Sequence, residues 1–146
     1  MLESASPPRP RRSKARSEGD TRKDLAPKRF ADAVVLCPAG RINHVSSDEF
    51  KDALAPFLAR CASGLDHLVL DFSALEYISS AGLRVLMLAR RQVQTQGGTV
   101  RVAALRPMVQ EIFEISRFTV VFEVFASVRE ALARASPAAL AAFESV

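Results

Sequence analysis

The sequence predicts one α/β domain: a mostly parallel central sheet of about four strands, helices packed against it, and a disordered basic tail at the N-terminus. Three observations carry that prediction. From residue 33 onward, strand-like and helix-like patterns alternate as βαβαβαβα, the order that builds parallel sheets. Leu68, Val69 and Leu70 form an unbroken apolar run, as expected of a strand covered on both faces. Residues 1–28 are rich in Pro, Ser, Arg and Lys and hold almost no large apolar side chain, so they cannot bury enough surface to offset the entropy of ordering. The expected division is therefore a tail over 1–28, a domain over 29–137 and a short C-terminal extension over 138–146.

Bulk properties agree with that organisation. A chain of 146 residues, 49% hydrophobic and 25% charged, has the size and composition of one soluble globular domain. No apolar run approaches the roughly 20 residues that cross a bilayer, because Arg84, Arg90 and Arg91 interrupt the longest candidates. The basic N-terminus has no apolar stretch behind it and does not read as a secretory signal. The net charge of +4 is uneven: residues 1–30 carry +5 and the remainder −1. Cys37 and Cys61 form neither a CxxC pair nor a metal-ligand spacing, and read as small buried hydrophobes in a strand and a helix. A reducing cytoplasm is the expected compartment.

Taken in order, Ala33 to Cys37 is the first clear strand, closed by Pro38. An earlier strand would have to come from residues 22–31, which are polar and include Pro27, so it is expected to be short or absent. Ala39 to Asn43 reads as a turn and a short extended piece. Ser46 and Glu49 fit a capping box at the start of a helix whose apolar face is Phe50, Leu54, Phe57, Leu58 and Cys61. Pro56 should kink or shorten that helix, and Gly64 lies past its end. Leu68–Asp71 is the central strand, Ser80–Gln96 a helix closed by Gly97 and Gly98, and Thr99 to Ala103 an alternating strand. Pro107 opens a third helix with Met108, Val109, Ile112 and Phe113 facing inward. Val120 to Phe122 is expected as the last strand and Ser127 to Ala135 as the last helix, with an alanine-rich tail after Pro137.

The functional signal lies between the central strand and the helix after it. Ser79 and Ser80 stand just ahead of Ala81-Gly82-Leu83, where a helix start exposes unpaired amide hydrogens and the positive end of its dipole. One of the two hydroxyls is expected to cap the helix, which leaves the other unengaged. Such a position accommodates a phosphate.

Asp71, Ser73 and the run Ile78-Ser79-Ser80-Ala81-Gly82-Leu83-Arg84-Val85-Leu86 resemble the signature segment of STAS domains, the anti-sigma factor antagonists of bacteria. Gly40-Arg41-Ile42-Asn43 and the Pro107 helix resemble further segments of that family, so the likeness covers roughly residues 33–135. The resemblance implies a STAS fold and phosphorylation at Ser80, two positions before Gly82. It also implies a partner surface containing Asn43, His44, Tyr77, Ser79, Ser80 and Arg84. The partner it implies is an anti-sigma factor acting as a serine kinase, with the histidine-kinase-like ATPase fold. Binding in the unphosphorylated state would free a sigma factor, and a phosphatase would reset the switch. Two family carboxylates are replaced, by Ser79 and by Asn43. The third helix ends in Ser116-Arg117-Phe118, where the family has a glycine.

No P-loop, GxGxxG, HExxH or CxxC is present, and neither His44 nor His67 stands in a nucleophile motif. A reactive-looking hydroxyl without a general base reads as a substrate, not an enzyme's nucleophile, and no cofactor or metal is implied. Two other functions stay open. The lost carboxylates favour a scaffold STAS protein, unphosphorylated, in a signalling or lipid-transport assembly. The basic tail suggests a weak nucleic-acid contact, although residues 1–29 hold no aromatic side chain for stacking.

Overall fold

The computed structural model describes residues 25–146. Seven strands and six helices follow one another within that span. They are β1 (Lys28–Phe30), β2 (Ala33–Leu36), β3 (Gly40–Ile42), α1 (Ser47–Arg60), β4 (His67–Asp71), β5 (Leu75–Ile78) and α2 (Ser80–Thr95), then β6 (Val100–Ala103), α3 (Pro107–Ile115), α4 (Phe118–Val121), β7 (Val124–Phe125), α5 (Val128–Ala135) and α6 (Pro137–Glu144). The main sheet has the order β1-β2-β4-β6-β7, and β3 pairs with β5 apart from it. Only β1 runs antiparallel to its neighbour; the other pairings are parallel. The expected α/β class holds, with five strands in the main sheet instead of four.

Strand alternation divides the core in two. Val34 and Leu36, Leu68 and Leu70, and Val100 and Val102 face the larger cluster, where α1, α2 and α3 contribute Phe50, Leu54, Leu86, Val93 and Phe113. Ala33, Val35, Val69 and Ala103 face the other side, which α5 and α6 cover with Ala131, Leu132 and Ala139. The central strand is therefore apolar on both faces, as its unbroken run requires.

Several local expectations are corrected. The folded part begins before residue 29: Leu25 is buried, its carbonyl accepts the Cys37 amide at 2.6 Å, and Lys28–Phe30 forms the short edge strand. The rest of the expected tail, residues 1–24, lies outside the described residues. Ser46 stands at the α1 N-cap, but its side chain makes no capping bond. The Asn43 side chain organises that turn instead, as described below. Helix α1 runs through Pro56, which is exposed. Cys37 follows β2 and is half-buried, and Cys61 follows α1 and is buried. Burial pushes the Cys61 thiol up to about 11.

The expected last strand, Val120 to Phe122, overlaps the helical turn α4, and the strand is Val124–Phe125. Packing overrides β-propensity here. Phe118 and Phe122, four residues apart, both bury against Phe113, with ring centroids 5.5 and 6.3 Å away. The turn is entered through Arg117, at φ 65° and ψ 21°. That is the left-handed conformation a glycine would adopt more readily. Finally, the residues expected as a C-terminal tail form α6, with Pro137 in its first turn and the Ser136 hydroxyl accepting the Ala139 amide at 3.1 Å. Ser136 also donates to Asp32 at 2.6 Å, and Phe143 packs edge-on against Phe30. These contacts fasten α6 over β1.

Candidate functional site: the serine turn before helix α2

The segment between β4 and α2 contains a strand of its own, β5. Its pairing with β3 places Arg41 opposite Tyr77 and Ile42 opposite Ile78. The Ser79 amide continues the ladder by donating to the Ile42 carbonyl at 2.8 Å. The turn that follows β3 and the start of α2 are thereby tied together.

The two serines have different environments. Ser79 is the N-cap of α2, with extended backbone, and its hydroxyl accepts the Gly82 amide hydrogen at 3.2 Å. Its carbonyl accepts the Leu83 amide at 2.9 Å. Ser80 is the first helical residue; it is exposed, and its hydroxyl has no hydrogen-bond partner among the described residues. One hydroxyl is committed to the backbone and the other faces solvent.

Gly82 explains how the helix comes so close to β3 and β5. A Cβ at this position would lie 2.6 Å from Ile78 Cγ1 and 2.9 Å from Ile42 Cγ2. Any side chain here would push the start of α2 away from the strands that hold the serine turn.

Asn43 shapes the other wall. Its side-chain oxygen accepts the amides of Val45 at 2.9 Å and Ser46 at 3.0 Å, while its backbone N–H donates to Ser46 Oγ at 3.0 Å. A carboxylate would accept the same two amides, so asparagine preserves this turn without a negative charge. His44 is exposed on the turn, and its carbonyl accepts the Ser47 hydroxyl at 3.1 Å.

Tyr77 is half-buried, with the Arg41 guanidinium 4.5 Å from its ring centroid. Arg84 is exposed one helical turn after Ser80. The structure thus links Asn43, Ser79 and Tyr77 through the β3–β5 pair and sets Ser80 and Arg84 on one helix.

Sequence reasoning missed two members of this surface. Arg41 becomes visible only once β5 is seen to pair with β3. Val45 is 74% exposed, a large apolar side chain at the rim of the turn. Among the described residues, no group of three or more His, Cys, Asp or Glu is placed to hold a metal ion.

The sequence matches the STAS domain family over residues 25–131. The chain belongs to the STAS domain family. BtrV of Bordetella bronchiseptica, which bears the name of an anti-sigma factor antagonist, is 39% identical over 107 residues, 73% of this chain and 89% of its own. A Thermotoga maritima structure described as an anti-sigma factor antagonist superposes with a TM-score of 0.69 at 20% identity, over 79% of this chain and 97% of that one. The unphosphorylated form of SpoIIAA superposes at 0.61 with 17% identity, over 75% and 93% of the two chains. SpoIIAA has also been solved in a phosphorylated form. At these identities the two structural likenesses concern the fold alone. The STAS match ends within α5, so α6 and its cover over β1 lie beyond the matched residues. The serine turn, β3 and α2 lie inside it.

Proposed function

We propose that this STAS domain is an anti-sigma factor antagonist, a binding module and not an enzyme, controlled by phosphorylation of Ser80. The observation that carries this reading is the division of labour between the two serines. The Ser79 hydroxyl caps α2 at 3.2 Å from the Gly82 amide, while the Ser80 hydroxyl is exposed and unengaged. The name borne by the 39%-identical relative supports the regulatory class.

In its unphosphorylated state the domain binds an anti-sigma factor that is also a serine kinase of the histidine-kinase-like ATPase fold, and so releases a sigma factor. The surface comprises Asn43, His44, Tyr77, Ser79, Ser80 and Arg84. The kinase transfers the γ-phosphoryl group of ATP to Ser80 Oγ; ADP leaves, and the hydroxyl proton passes to the kinase's base. The new group brings about −1.5 to −2 charges to a surface that must lose water on binding. The start of α2 tolerates that charge, so the fold survives while the interface fails. A phosphatase restores the hydroxyl. The expected setting is the cytoplasm; no helix among the described residues is long and apolar enough to cross a membrane.

A second reading has an observation in its favour. Asn43 and Ser79 replace the family's carboxylates, and both side chains are occupied by backbone amides. A STAS scaffold that is never phosphorylated would have no need of those carboxylates. Incubation with the cognate kinase and ATP, followed by site-resolved mass spectrometry, separates the two. One phosphate on Ser80, absent in Ser80→Ala, supports the switch. An unmodified chain that still binds its partner in ATP supports the scaffold.

A further inference from the structure

Arg84 and Ser80 are four residues apart on α2, and both are exposed. Side chains at that spacing are neighbours on a helix surface, and an anion at the N-terminal member with a cation at the other is the favourable order. Arg84 has no ion pair or hydrogen bond among the described residues. Helix α2 carries no acidic residue that could occupy it. Two other arginines of this region have partners: Arg41 lies over Tyr77, and Arg90 reaches Gln94 at 3.4 Å.

We propose that a phosphate on Ser80 captures Arg84 in an ion pair within the helix. Modification then changes the surface at two residues. It adds negative charge at position 80, and it withdraws from the partner the one guanidinium that stands a turn away. Arginine suits this role, because its planar fork donates two hydrogen bonds to phosphate oxygens. The inference rests on Ser80 being the modified residue.

The test uses the full chain with phosphoserine installed at position 80, and follows the phosphate by phosphorus NMR as pH is varied. The helix start acts on the phosphate in every variant, so the difference between variants isolates the arginine. An exposed ion pair lowers the second phosphate pKa by about half a unit. The parent and Arg91→Gln, whose arginine lies about 16 Å from Ser80 along the axis, should share the lower value. Arg84→Gln should lie about half a unit higher, and Arg84→Lys in between. Equal values for the parent and Arg84→Gln would overturn the proposal. The titration needs neither kinase nor partner. Its failure therefore leaves the Ser80 reading standing, and an unphosphorylated Ser80 in cells would sink that reading without touching this measurement.

Discussion

Ser79 Oγ accepts the Gly82 amide hydrogen at 3.2 Å, and this bond decides which of the two adjacent serines is structural. Loss of an N-cap side chain costs about 0.5–2 kcal/mol. Ser79→Ala should therefore lower the melting temperature by several degrees. Ser80→Ala removes a hydroxyl with no partner and places a strong helix former in the first turn, so its stability should stay within about 0.5 kcal/mol of the parent. Thermal melts of the two variants, side by side, check the assignment. A larger loss in Ser80→Ala would exchange the roles of the two residues.

Gly82→Ala should destabilise despite the better helix propensity of alanine. The added methyl would meet Ile78 Cγ1 at 2.6 Å and Ile42 Cγ2 at 2.9 Å, near the branch points of side chains that are themselves buried. Overpacking of this kind costs about 1–3 kcal/mol, against a propensity gain of about 0.5–1 kcal/mol. Denaturant unfolding measures the balance, and a net gain would mean that α2 can move off the β3–β5 pair without strain.

Leu70 and Leu86 are 1% and 0% exposed in the larger core cluster, on the central strand and on α2. Truncation of either to alanine should cost about 2–5 kcal/mol. Near-neutral values would contradict the packing of α2 on β4.

These two positions were legible in the sequence because their elements follow one clean pattern each. Leu68 to Leu70 is apolar without a break, and Leu83, Leu86 and Val93 recur at helical spacing. The misread elements carry mixed signals. Leu75-Glu76-Tyr77-Ile78 does not alternate cleanly, so β5 reads as loop, and the pairing that brings Arg41 to Tyr77 is hidden with it. Val120-Val121-Phe122 has a strand's composition, yet the demand to bury both Phe118 and Phe122 curls it into a turn and leaves Val120 79% exposed. Pro137 reads as an interruption of the preceding helix, although Ser136 before it is the usual signal of a capped helix start. The two serines stand out in the sequence, but their separate roles depend on the position of the Gly82 amide, which only the fold sets.

Acid should weaken the fold through Asp66. The Arg29 guanidinium, bonded to it at 3.1 and 3.0 Å, holds its carboxyl below the usual carboxylate range, with help from Arg60 at 3.2 Å. A depressed folded-state pKa means stability that is present above the unfolded value of about 3.9 and is lost as pH falls through the folded one. The melting temperature of the parent should therefore drop below about pH 4. Asp66→Asn should be less stable at neutral pH and should show a shallower acid dependence. Parallel pH profiles of the two proteins would reject the role of this ion pair.

Deletion of residues 1–24 should leave the melting temperature almost unchanged, since that stretch offers little apolar surface to bury. Deletion of residues 1–30 should not, because it removes the buried Leu25 and the whole of β1. Melts of the two truncations locate the start of the domain.

In the proposed switch, the charge state of Ser80 controls partner binding. The most direct measurement is the affinity of the cognate anti-sigma kinase for the unmodified chain and for the same chain carrying phosphoserine at position 80, both confirmed folded by circular dichroism. Burying an unpaired charge at an interface costs several kcal/mol, and each 1.4 kcal/mol is a factor of ten. If Ser80 is the switch, phosphorylation should weaken binding by about a hundredfold or more, with the fold intact. Equal affinity of the two forms for the kinase would contradict it.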